Sequence, residues 1–143
     1  MHNDILLTVD LDQETSWNKA LPLAVEYCQA FGANLHVMTV VPDFGMTLVG
    51  TFFPEGFEKV ALEEARKRLH QFTAERVPEG IEVQHIVGHG VVYKEILRVA
   101  DEIDCDLVIM QSHHPELQDY LIGPNASRVV RHVNCSVQVV RGE

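Results

Sequence analysis

The stretch that decides the fold runs from Ser112 to Arg141 and reads SHHPELQDYLIGPNASRVVRHVNCSVQVVR. An unbroken apolar run, Leu107 to Met110, leads into it and is typical of a buried strand. We expect a loop next, then a helix that opens at Gly123-Pro124-Asn125-Ala126 and ends near His132, and then a last strand over 136–141. The free N–H groups and the dipole of a helix start favour an anion. The stretch therefore predicts a turn that holds phosphate.

The rest of the chain alternates apolar runs with helical patterns. We expect strands at about 5–9, 34–41, 81–87 and 106–111, and helices at about 19–31, 56–76 and 91–103. Strands that alternate with long helices imply right-handed βαβ units and a parallel sheet, buried on both faces. The pattern predicts one doubly wound α/β domain over residues 1–143. Pro22 predicts a kink or a helix start near Lys19, and the irregular segment Pro42–Pro54 is interpreted as a mobile flap.

Composition limits the possible partners. The chain has 143 residues, 46% of them hydrophobic and 22% charged, with a net charge of −10. No basic stripe is present to neutralise a nucleic-acid backbone, although a small nucleotide stays possible. No apolar stretch approaches the roughly 20 residues of a membrane span, and no signal peptide is recognisable, so we expect a cytoplasmic protein. The three cysteines lack metal-binding spacing and are interpreted as buried, inert thiols.

Three segments resemble the universal stress protein family. The ending Arg128-Val129-Val130-Arg131-His132 with Cys135-Ser136-Val137-Gln138-Val139-Val140 matches the family's last helix and strand, and both Ile5 to Asp10 and Gly32 to Val37 match its opening. The resemblance extends over essentially the whole chain. It implies a doubly wound five-stranded parallel sheet in the order 3-2-1-4-5 with four helices, an adenine-nucleotide alpha-hydrolase-like fold.

The resemblance also implies a site for ATP at the carboxyl ends of strands one and four. Physical reasoning favours the same place, because ligands of such sheets bind where the strand order reverses. The implied residues are Val9, Val40, Val87 and Met110 around the base, Asp10, Gln111, Ser112 and His113 around the ribose and first phosphate, and Gly123, Asn125 and Ala126 around the outer phosphates.

Two features depart from the family's nucleotide signature of Gly-x-x-Gly, a nine-residue spacer and Gly-Ser or Gly-Thr. Gln111 and His114 stand at the glycine positions, the spacer is one residue shorter, and Pro124 replaces the hydroxyl residue. The Ser-His-x-Pro loop with its Gly-x-Asn-Ala helix start resembles instead a sub-branch that includes nucleotide binders. Proline is well tolerated in the first helical turn. We therefore expect ATP or another adenine nucleotide to bind, with or without Mg²⁺, and AMP or ADP to compete well.

Each candidate residue also has a structural interpretation. Gly123, Gly88 and Gly90 fit simple turns, and Asp10 fits a helix cap. A zinc site of His89, His113 and His114 is not favoured, because adjacent histidines in an extended loop point in opposite directions. We expect no metal site and no catalytic residue.

The expected function is a nucleotide-binding regulatory protein of the stress response that acts through a homodimer and an unidentified protein partner. The last strand, with Ser136, Val137, Val139 and Val140, would be an exposed sheet edge suited to antiparallel pairing. No dedicated base for hydrolysis is recognisable, so we expect at most a slow ATPase. The alternative is a dimeric interaction module that works without nucleotide.

Overall fold

The computed structural model describes residues 3–41, 56–112 and 124–141. The predicted flap at Pro42–Pro54 and the loop residues His113, His114 and Gly123 lie outside the described residues. Within the described ranges, no helix combines the length and the apolar character needed to cross a bilayer.

Strands and helices alternate from one end of the chain to the other, as the sequence predicted. In chain order they are β1 (Asp4–Thr8), α1 (Ala20–Phe31), β2 (Asn34–Val41), α2 (Phe57–Arg76), β3 (Val83–His89), α3 (Val92–Glu102), β4 (Leu107–Ser112), α4 (Pro124–His132) and β5 (Ser136–Arg141). A short 3-10 helix, Glu14–Ser16, lies between β1 and α1.

The five strands form one parallel sheet in the order β3-β2-β1-β4-β5, which confirms the predicted topology. Ile5 of β1 lies opposite Leu35 on one side and Leu107 on the other. The chain therefore leaves β1 toward β2 and later returns to β1's other flank with β4. The carboxyl ends of β1 and β4 border the point where the winding direction changes, the usual place for a ligand in such sheets.

Helices cover both faces of the sheet. Leu7 and Val37 pack with α1 and α2 on one face, and Leu6 and Met38 pack with α3 and α4 on the other. These four side chains are 0% exposed. Neighbouring strand residues thus face opposite helical layers, which explains why the strands read as unbroken apolar runs.

The helix ends follow the predicted signals, whereas β3 is displaced. Helix α1 begins at Ala20 with Pro22 in its first turn, where a missing N–H costs little, and it ends at Gly32 with φ +68°. Strand β3 was predicted at about 81–87 but occupies Val83–His89, because Gly88 continues the ladder beside Val40 of β2. The turn glycine is Gly90, with φ +124°.

Candidate functional site

A cleft of about 200 Å³ opens at the carboxyl ends of β1, β2 and β4. Its floor is formed by Thr8, Val9, Met38, Val40 and Met110, its wall by Val92 and Ile96 of α3, and its polar rim by Asp10, Ser16, Gln111 and Asn125. The cleft lies at the predicted reversal of strand order. Asn125 places the first turn of α4 at the same opening.

The floor of the cleft is apolar and tightly packed. Val9 and Met110 are each 5% exposed and Met38 is 0% exposed. Ile96 of α3 is 1% exposed and closes one side. The faces of a flat ring bound here would therefore meet aliphatic side chains and not charged ones.

The rim beside β1 is fixed by hydrogen bonds around Asp10. The Asp10 N–H donates to Ser16 Oγ at 2.8 Å, and the Ser16 hydroxyl donates to the Asp10 carbonyl at 3.0 Å. Asp10 Oδ1 accepts the N–H of Asp12 at 3.0 Å. Asp10 thus caps the turn that follows β1 and not helix α1, and its exposed carboxylate stays at the mouth of the cleft.

Gln111 links β4 to the start of α1. Its amide oxygen accepts the N–H groups of Lys19 and Ala20, each at 2.9 Å, and its amide nitrogen donates to Asn18 Oδ1 at 2.5 Å. Lys19, the residue that precedes α1, has helical backbone angles and provides no side-chain cap. Gln111 was predicted to contact the ribose and first phosphate. It borders the cleft, but its polar groups already bond to the protein.

The cleft brings together six of the predicted residues, namely Val9, Asp10, Val40, Met110, Gln111 and Asn125. Three others lie elsewhere. Val87 packs on the opposite face of the sheet with the α1 and α2 layer, because strand alternation turns Ile86 toward the layer that borders the cleft. Ser112 is 6% exposed and does not line the cleft, and Ala126 is buried in the core beneath α4.

Sequence reasoning missed five lining residues, namely Thr8, Ser16, Met38, Val92 and Ile96. Val92 and Ile96 belong to the apolar stripe of α3, and such a stripe looks the same whether it covers a core or a cleft. Met38 was seen only as part of the second strand. A position near the carboxyl end of a central strand was the one available signal for it.

The end of β3 is held next to the cleft by a group of charged residues. Glu95 Oε1 accepts the His89 N–H at 3.1 Å and bonds Arg98 Nη2 at 2.9 Å. The hydrogen bond from Arg98 is the main reason that the pKa of Glu95 lies below its usual value. His89 Nε2 lies 2.7 Å from Glu58 Oε1, which ties the first turn of α2 to the same place.

Gly88 of β3 packs against Met38, which belongs to the floor of the cleft. A Cβ atom at this position would lie 2.9 Å from Met38 Cε and 3.2 Å from Glu95 Cβ. Its backbone is that of an ordinary strand, so a side chain at this position is disfavoured by lack of space and not by backbone strain. The interpretation of Gly88 as a turn residue was wrong, whereas Gly90 with its positive φ is a turn glycine.

Comparison with known proteins agrees with this architecture. The model of the Universal stress protein family matches residues 1–141. Universal stress protein G of Escherichia coli O157:H7 is 29% identical over 143 residues, which are 99% of this chain and 100% of that protein.

Solved structures of such proteins share the fold. A universal stress protein in complex with cAMP has a TM-score of 0.63 and 19% identity, with 99% of this chain and 98% of that chain covered. The universal stress protein from Archaeoglobus fulgidus in complex with dAMP has a TM-score of 0.67 and 20% identity, with the same two shares, 99% and 98%. The chain therefore has the fold of solved universal stress proteins.

Proposed function

The chain belongs to the universal stress protein family, and we propose that it is a regulatory protein that binds an adenine nucleotide in the cleft at the carboxyl ends of β1, β2 and β4. One observation carries the proposal. The first turn of α4 lines the same opening as the apolar ends of these strands. An apolar slot next to a helix start suits a ligand with a flat base at one end and an anion at the other.

The base would lie on the apolar floor. Val40 and Val92 are partly exposed and offer aliphatic surface above the buried Val9, Met38 and Met110. Val40 also lies at the end of β2, where main-chain groups can reach an adenine edge. Ile96 limits the depth of the slot from the α3 side. Because no charged side chain reaches this floor among the described residues, the base would gain mainly from burial of its ring faces.

The ribose and phosphates would lie along the rim. The Asp10 carboxylate is placed to accept from ribose hydroxyls, and the first N–H groups of α4 with the Asn125 side chain would hold phosphate oxygens. Among the described lining residues there is neither lysine nor arginine. Phosphate binding would therefore depend on main-chain donors, and we expect ADP and AMP to bind about as well as ATP, with or without Mg²⁺.

Two similar proteins support the choice of ligand. The solved structures described above hold cAMP and dAMP, which are both adenine nucleotides. We expect at most slow hydrolysis of ATP here, because the one carboxylate among the described lining residues, Asp10, accepts a hydrogen bond from the Asp12 N–H. Binding without turnover fits a cytoplasmic regulator that acts through a protein partner.

We further propose that the regulator is a homodimer joined through β5. This strand is the last of the sheet and pairs with β4 on one flank only. Val137, Val139 and Val140 are half-buried, so the strand offers apolar side chains as well as backbone groups. A second copy that pairs antiparallel across a two-fold axis would bond the free backbone groups of this edge and cover its apolar side chains.

Calorimetric titration of the purified protein with ATP, ADP and AMP tests nucleotide binding. We expect heat of binding with each of them. We expect Asn125→Ala to weaken binding roughly 10- to 150-fold, because a hydrogen bond to a charged group is worth roughly 1.5–3 kcal/mol. Asn134→Ala is the matched control, since Asn134 is an exposed asparagine near the amino end of β5.

Two results would contradict the proposal. The first is an absence of heat with all three nucleotides, which would favour a dimeric interaction module that needs no ligand. The second is equal weakening by Asn125→Ala and Asn134→Ala, which would place the ligand outside this cleft. The missing N–H of Pro124 is the observation that favours the module, and His114 at a glycine position of the family signature favours it in the sequence.

A further inference from the structure

Cys105 and Cys135 meet at the end of the sheet opposite to the cleft. Their sulfur atoms lie 3.7 Å apart, although the residues are 30 positions apart in the chain. Both are free thiols, as is Cys28. The sequence indicated buried, inert thiols and did not predict this contact between two of them.

The topology of the sheet explains this contact. Cys105 follows α3 and precedes β4, and Cys135 follows α4 and precedes β5. The ladder pairs Leu107 with Ser136, so the two cysteines lie in neighbouring turns at the amino ends of adjacent strands. Cys105 is 6% exposed, and Cys135 is more accessible.

Two depressions give access to the pair. One, of about 160 Å³, lies between the ends of α3 and α4. The other, of about 650 Å³, is open and lies across the amino ends of β1, β4 and β5. Cys105 and Cys135 line both depressions, so solvent-accessible space borders the pair on two sides, and Cys135 is the more exposed of the two.

We propose that Cys105 and Cys135 are a reversible dithiol–disulfide site that reacts with low-molecular-weight disulfides. The contact distance and the two openings carry this proposal. A metal site is less favoured, because within residues 3–41, 56–112 and 124–141 no group of three His, Cys, Asp or Glu side chains is placed to hold an ion.

The reaction consists of two successive thiol–disulfide exchanges. Cys135, the more accessible thiol, loses its proton and attacks one sulfur of oxidised glutathione, which breaks that S–S bond and releases one glutathione thiolate. Cys105 then loses its proton and attacks Cys135 Sγ, which forms the protein disulfide and expels the second glutathione thiolate. Two protein thiols are oxidised, one glutathione disulfide is reduced to two thiols, and the two protons pass to the thiolates.

The surroundings of the pair make this reaction dependent on pH. Burial raises the pKa of Cys105 to about 12 and also raises the pKa of Cys135. The titratable groups that line the two depressions with them are Asp4, Asp101, Asp104, Asp106 and His132. Because only the thiolate attacks, the rate of disulfide formation should rise with pH, by about tenfold per unit at neutral pH.

The test is oxidation of the full chain by oxidised glutathione, followed by alkylation and intact-mass measurement. We expect the wild type to fall from three free thiols to one, without bound glutathione, and to recover all three with dithiothreitol. The disulfide closes a 30-residue separation, so the oxidised form should also have a melting temperature higher by roughly 5 °C or more. Peptide mapping should show Cys105 linked to Cys135.

Single variants distinguish the thiol that attacks glutathione disulfide, Cys135, from the thiol that resolves the mixed disulfide, Cys105. Cys28→Ala is the control, because Cys28 lies on α1 and is 3% exposed, and it should leave the disulfide intact. Cys105→Ala should stop at a glutathione adduct on Cys135, and Cys135→Ala should keep Cys105 reduced. A wild type that keeps three thiols, or that collects glutathione adducts without an internal disulfide, overturns the proposal whether or not the variants fold.

Discussion

At the scale of single residues, Gln111 shows how one side chain can join two elements. Its amide oxygen accepts the N–H groups of Lys19 and Ala20 at the start of α1, while its backbone belongs to β4. Helix starts usually take a cap from the residue just before them, but Lys19 provides none. Gln111 therefore lies near the carboxyl end of β4 at the cleft and also fixes the first turn of α1.

We predict that Gln111→Ala lowers the free energy of unfolding by about 1–2 kcal/mol, because it leaves two helix N–H groups without their acceptor. Urea denaturation followed by circular dichroism measures this change. Gln111→Glu should lose less, since a carboxylate keeps the acceptor oxygen and suits the helix dipole, while the Asn18 amide must turn so that its nitrogen donates to the second oxygen. Equal losses for the two variants would mean that the cap contributes little.

At the scale of elements, the end of β3 determines the depth of the cleft. Gly88 packs closely against Met38. The next residue of the strand, His89, donates its backbone N–H to the Glu95 side chain of α3. A side chain at position 88 would have to displace either the Met38 methyl group or the α3 helix. The cheaper movement is that of the methyl group, because it is the end of a flexible side chain, and Met38 borders the cleft.

Gly88→Ala should therefore weaken nucleotide binding several-fold and destabilise the fold by about 1–3 kcal/mol, the usual cost of overpacking a core. Calorimetry and urea denaturation measure the two effects. The double variant Gly88→Ala/Met38→Leu removes the atom that would clash and should restore much of both. Failure of this rescue, with α3 intact by circular dichroism, would show that Glu95 and not Met38 is the obstacle.

The sequence predicted those features of the elements that depend on local chemistry. Gly32 and Pro124 mark helix boundaries through their own backbone preferences, and buried strands read as apolar runs. The shift of β3 was not predictable, because a glycine that is required for close packing looks like a turn glycine until its neighbour is known.

Only part of the site could be predicted from the sequence. Asp10 and Asn125 lie where strands and helices of this topology end, so topology alone places them at the cleft. The role of Gln111 depends on a helix start 91 and 92 residues away, and the contact of Cys105 with Cys135 depends on strand register. No local pattern in the chain carries such information.

At the scale of the whole molecule, function is distributed over the sheet. The cleft lies at the carboxyl ends of β1, β2 and β4, and the cysteine pair lies at the amino ends of β4 and β5. Strand β5 forms the outer edge, and Tyr27 of α1 donates to Gln138 in it at 2.5 Å. The proposed nucleotide, the proposed disulfide and the proposed second copy would thus each lie at a different edge of the same five-stranded sheet.

If β5 joins two copies, Val139→Lys should convert the dimer to monomer in sedimentation experiments at micromolar concentration. The two-fold axis would bring two new positive charges near each other, and like charges across a strand pair are destabilising. Val130→Lys is the control, because Val130 is 46% exposed on α4 and away from the edge. A wild type that sediments only as a monomer, or a dimer that Val139→Lys leaves unchanged, would contradict the interface.

The remote cap on α1 also has a consequence for synthesis on the ribosome. Residue 111 emerges about 90 positions after the helix that it completes. At translation rates of roughly 5–20 residues per second, the nascent helix waits on the order of 5–20 s with its leading amides bound only to water. Helix α1 should therefore reach its final stability late in synthesis. This happens when β4 leaves the exit tunnel and the side-chain amide oxygen of Gln111 can accept the N–H groups of Lys19 and Ala20.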